Sequence, residues 1–85
     1  MLYAICDIEL QHPYGVSLNQ IHDMVRLQKM KLLTCSTRKR TASIAVPVSK
    51  FKEIFGANPR IASYDAPEGT QGFMMEIVVR EIRDI

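Results

Sequence analysis

Residues 31–56 read KLLTCSTRKRTASIAVPVSKFKEIFG, and this stretch decides the fold. β-Branched and small residues flank three consecutive cations, which predicts a hairpin: strands over Leu32–Thr37 and Thr41–Val46, with Arg38, Lys39 and Arg40 at the tip. Ala42, Ile44, Val46 and Val48 share one parity and are expected to face the core. Pro47 has no N–H to give to a ladder, so the strand must end there or lie at a sheet edge. Ser49 is positioned to cap a following helix in which Phe51, Ile54 and Phe55 share one face, and Gly56 supplies its left-handed terminator.

Upstream of the hairpin, Leu2, Ala4, Cys6, Ile8 and Leu10 alternate with Tyr3, Ile5, Asp7 and Glu9, the pattern of a half-buried strand. QHPYG then punctuates the chain, and Ser17 with Gln20 fits a capping box before a helix over about residues 18–28, where Leu18, Ile21, Met24 and Val25 recur at helical spacing. Downstream, residues 57–71 are rich in turn formers and predict a long connection, of the kind that carries function in a small domain. Phe73, Met75, Ile77 and Val79 alternate with Met74, Glu76, Val78 and Arg80 in a last strand. Its end, EIRDI, loses the alternation and leaves Ile82 and Ile85 to pack elsewhere or to be exposed. The order is strand, helix, strand, strand, helix, strand. This is an α+β, ferredoxin-like βαββαβ arrangement, in which an antiparallel sheet carries both helices on one face.

At 85 residues the chain is one domain, 1–85, with a single core. An apolar fraction of 47% with 24% charged residues is ordinary globular composition and excludes the disordered class. MLYAICDIEL has no basic leader and carries Asp7 and Glu9, and no apolar run approaches spanning length; a cytoplasmic protein without membrane contact is expected. Cys6 and Cys35 lack the spacing of a disulfide framework or a zinc site, so both are expected to be small buried apolar residues. No metal or cofactor is called for. His12 and His22 sit beside no pattern that recruits them and are expected to be solvated. No catalytic constellation can be named, and an enzyme is not expected.

The net charge of +2 is unevenly placed: nine of the basic residues lie between Arg26 and Arg60 with one acid, Glu53, between them. Such a split orients a molecule toward a charged partner. The cluster Arg38, Lys39 and Arg40 could neutralise phosphates, which makes nucleic acid the alternative partner. Sequence-specific single-strand recognition by a sheet needs stacking aromatics, and the third strand offers only Ser43, Ala45 and Pro47 on its open side.

From residue 41 the chain reads TASIAVPVSKFKEIFG, a strand running into a short helix that ends in Phe, three residues, Phe, Gly, followed by Tyr64, Pro67 and Gly69. This resembles the activation and inhibitory propeptides of subtilisin-like and sedolisin serine peptidases, over roughly half the chain. The resemblance implies a domain that packs its open sheet face onto a peptidase and inhibits it or assists its folding. Those propeptides usually present a C-terminal tail to the active site, whereas this sequence stops close to its last strand, so a binder of the same shape without substrate-like inhibition is expected. Its contacts would be Tyr3, Ile5, Met74 and Val78 on the open sheet face and Tyr64 in the 57–71 connection, with another protein or a second copy as partner.

Overall fold

The computed structural model describes residues 1–11, 18–36, 38–56, 60–69 and 72–84. Among the described residues seven elements follow one another: β1 (Leu2–Leu10), α1 (Leu18–Leu27), β2 (Lys31–Ser36), β3 (Thr41–Pro47), α2 (Val48–Phe55), β4 (Ile61–Tyr64) and β5 (Phe73–Asp84). The strands form one five-stranded sheet in the order β2-β3-β1-β5-β4, antiparallel at every step. The class is α+β with two helices. The expected βαββαβ order is corrected to βαββαββ, because β4 lies inside the stretch read as a long connection.

The core sits largely where alternation placed it, with one correction: Val48, expected to face the core from β3, is the first residue of α2 and is exposed. Ala4, Cys6, Ile8 and Leu10 of β1, Ala42, Ile44 and Val46 of β3, and Phe73, Met75 and Ile77 of β5 form one buried cluster with Ile21 and Met24 of α1 and Phe55 of α2. Ile21 and Met24 are three apart, so a helix lays both on its inner side. The end of α1 is closed by the backbone. Met30 N–H donates to Val25 O at 2.9 Å, with Lys29 between them at φ 56°, a Schellman closure built without glycine.

Pro47 is the last residue of β3, as its missing N–H demands, and it also precedes the first residue of α2. Ser49 is therefore not the cap. It is the second helical residue, and no side chain caps α2; the fixed φ of Pro47, −53°, starts the helix instead. Gly56, at φ 87°, ends it with its N–H donated to Lys52 O at 2.8 Å. The capping box expected at Ser17, and the residues His12 and Ile85, lie outside the described residues.

β4 pairs with the first part of β5, Ile61 opposite Glu76 and Tyr64 opposite Phe73. Ala62 and Tyr64 join the core, and the Tyr64 ring packs against Phe73 at 5.6 Å between centroids. The hairpin closes tightly at Gly72, where an added Cβ would stand 2.4 Å from Tyr64 O. That oxygen belongs to the backbone and cannot swing aside. Gly72→Ala is accordingly expected to cost about 1–3 kcal/mol, a fall in melting temperature of roughly 4–8 °C for each kcal/mol. A thermal melt of the variant checks this, and an unchanged midpoint would mean the two strands do not close here.

Candidate binding surfaces

β5 is the longest strand, twelve residues, and its two halves have different surroundings. Through Ile77 it is flanked by β1 and β4 and its inward side chains are buried. From Val78 to Asp84 every residue is exposed. The reason is length: β4 is four residues and α2 eight, so β5 outruns both.

A bulge determines what the second half presents. Cys6 pairs with Val79 and Ile5 with Glu81, which leaves Arg80 as the extra residue on β5. The inserted residue shifts the parity, so Val79 and Ile82, three apart, both point to the helix side, opposite Cys6 and Ala4. There they line an apolar groove of about 320 Å³ with Ala4, Val48, Phe51 and Lys52. Val48, Val79 and Ile82 are 39%, 44% and 55% exposed, although each shares the groove with buried Ala4. Sequence reasoning did not assign Val48, Val79 and Ile82 to a site. The signal was present in the lost alternation at EIRDI, which a bulge between Val79 and Ile82 explains.

The opposite sheet face is polar at its centre. Asp7, Glu9 and Glu76 share a shallow concavity of about 220 Å³ with the hydroxyls of Thr34, Thr41 and Ser43. Ser43 Oγ–H donates to Asp7 Oδ1 at 2.7 Å, and Arg80 Nε lies 3.4 Å from Asp7 Oδ2. Glu9 and Glu76 stand directly opposite each other on β1 and β5, a like-charge pair that works against the ladder.

The residues singled out from the sequence do not converge. Tyr3 is half-buried, with Lys31 Nζ reaching across β3 to lie 5.2 Å from its ring centroid. Ile5 is on the open face but only 1% exposed, paired between Ala45 and Glu81. Met74 and Val78 are exposed on the same face, with Glu76 between them. Tyr64 is 4% exposed, and its hydroxyl accepts a hydrogen bond from Gln28 Nε2 at 3.3 Å; it is a core residue of β4. Arg38 and Lys39 are exposed at the β2–β3 turn and Arg40 is half-buried there at φ 56°. Arg40 O accepts from Leu10 N–H at 3.0 Å, which fixes this turn beside the end of β1, whereas the apolar groove abuts Ala4 nearer the strand's start.

Cys6 is buried, as expected; burial, and then the charge of Asp7, push its thiol up to about 11, so it stays protonated at neutral pH. Cys35 corrects the sequence reading. It is exposed, because β2 is an edge strand. His22 is exposed on α1. Among the described residues no three His, Cys, Asp or Glu side chains are grouped to hold a metal ion, and no helix is long and apolar enough to cross a membrane. Comparison with protein-family models, with curated proteins and with solved structures finds no match to this chain.

Proposed function

We propose that this chain is a non-catalytic protein-binding module that docks through the apolar groove between α2 and the second half of β5. The observation that carries this reading is the exposure of Val48, Val79 and Ile82 around one groove, on the helix side of the sheet beside buried Ala4. Apolar side chains gathered beside a core, rather than scattered singly, mark an interaction surface. Docking would bury them and complete the layer over the end of β5.

The order β2-β3-β1-β5, with β4 outside β5, supports a ferredoxin-like reading of the sheet. The propeptide resemblance over TASIAVPVSKFKEIFG points to the same class of work, a small domain seated on another protein. The groove, however, lies on the helix side and not on the open sheet face that the resemblance implies. The polar centre of the open face, with Asp7, Glu9 and Glu76, makes it the poorer apolar contact.

A photo-crosslinking amino acid placed at Ile82, with a second placed at Lys39 in the basic turn, tests the proposal in the native host. Protein adducts from position 82 are expected, and none from position 39. Nucleic-acid adducts from position 39 without protein adducts from position 82 would transfer the function to the turn. The absence of any adduct from position 82 would overturn the groove.

A further inference from the structure

We infer that the partner is a second copy of this chain, joined edge to edge through β5. The inference rests on the protein-binding reading above and names the occupant. Among the described residues β4 pairs only as far as Glu76, and Arg60 O takes the N–H of Ile77. Beyond that point, among the described residues, the outer edge of β5 from Val78 onward has no strand beside it. An uncovered edge offers a row of backbone donors and acceptors, and a second strand added to it gains a full ladder.

Edges are commonly blunted with charge, and Arg80, Glu81 and Arg83 fit that description. Their order is nonetheless self-complementary. In an antiparallel pair about a two-fold axis, one register sets Arg80 opposite Glu81 of the second copy, Val79 opposite its Ile82, and Val78 opposite its Arg83. Each pair then occurs twice. The neighbouring registers are worse for stated reasons. Sliding by one residue places Arg80 against Arg80 or Glu81 against Glu81 on the axis, and sliding by two either sets Arg80 against Arg83 or sets Val79, on the helix side, against Arg80, on the open side, so that the two faces do not match. Like charges directly opposite destabilise a ladder, whereas opposite charges and apolar pairs support it.

The favoured register also agrees with the bulge. Val79 and Ile82 share the helix side, so two copies bring four apolar side chains into one row beside both grooves. Arg80 and Glu81 share the open side, where Arg80 already meets Asp7 and Glu81 meets Arg83. Two sheets of five strands become one of ten.

The decisive experiment uses Arg80→Glu and Glu81→Arg, separately, mixed and combined, by sedimentation equilibrium of the full chain. Wild type is expected to be a dimer. Each single variant sets two like-charge pairs on the interface, and its self-dissociation constant should rise about tenfold or more. An equimolar mixture of the two restores both attractive pairs in the mixed dimer, and so does the double variant. Recovery on mixing cannot come from a variant that failed to fold. Single variants that dimerise like wild type, or a mixture no tighter than its components, would overturn this register. A wild-type monomer that still crosslinks from Ile82 to a different protein would overturn the second copy while leaving the binding module standing; a monomer with no adduct removes both.

Discussion

Tyr64→Ala is expected to bring the domain close to unfolding, with a loss of about 3–5 kcal/mol in a chain whose total stability is of order 4–13 kcal/mol. The phenol is 4% exposed, packs on Phe73, and belongs to the cluster that links β4 to the rest of the core. Removing it leaves a cavity under a four-residue edge strand with few other anchors, chiefly Ala62. Tyr64→Phe keeps the ring and loses only the hydrogen bond from Gln28, so it should cost about 1 kcal/mol. Urea denaturation followed by circular dichroism separates the two variants. A wild-type midpoint for the alanine variant would place this side chain at the surface, where a binding loop would put it.

That contrast shows where the sequence was readable. β1, α1, the β2–β3 hairpin, α2 and the start of β5 were legible because each carries its own periodicity, and most core residues followed from parity, Val48 being the exception on one side and Ile5 and Ala45 on the other. β4 was not. IASY offers two inward positions, Ala62 and Tyr64, between an Asn-Pro pair and DAPEG, and such a short alternation is outweighed by its turn-forming flanks. What makes it a strand is non-local: the outer edge of β5 is free to receive it, and Tyr64 finds Phe73 across the ladder. The same holds for the cap of α2. Ser49 has the right chemistry, but the helix begins at Val48, directly after a proline whose fixed φ suits the turn into it.

The candidate site was legible only as a disturbance. The sequence shows that alternation fails after Val79, but a failed pattern has several causes: a strand end, a bulge or a second packing layer. Only the pairing with β1 identifies the bulge at Arg80 and so puts Val79 and Ile82 on one side. Whether those side chains would be covered depended on two lengths, those of α2 and β4, that no local pattern fixes. Parity puts Tyr3, Ile5, Met74 and Val78 on the open sheet face as an apolar patch; in the fold the first is beneath Lys31 and the second is buried, while carboxylates occupy the ground between.

Ile82→Asp should therefore behave in a way no core substitution can. Ile82 is 55% exposed in the single chain, so exchanging it costs little burial, and the folding stability is expected to move by no more than about 1 kcal/mol, mainly from the lower strand preference of aspartate. Ile44→Asp, at a fully buried position on β3, is the opposite control and should unfold the chain, because an isolated carboxylate cannot be left in the core. In the associated state the order reverses. Ile82 would lie opposite Val79 of the other copy, and the row contains it twice, so the substitution removes two apolar contacts and strands two carboxylates in the interface. Interface anchors of this kind are worth about 2–4 kcal/mol, which corresponds to roughly a 30- to 1,000-fold weaker complex. Sedimentation equilibrium beside a urea melt reads both quantities on the same sample. If the midpoint falls as it does for a core residue, Ile82 is covered within one chain and the groove is no docking surface. If the melt and the association both stay at wild-type values, the apolar row plays no part in assembly, and the register that sets Ile82 opposite Val79 is overturned, because two carboxylates buried in that row could not go unnoticed.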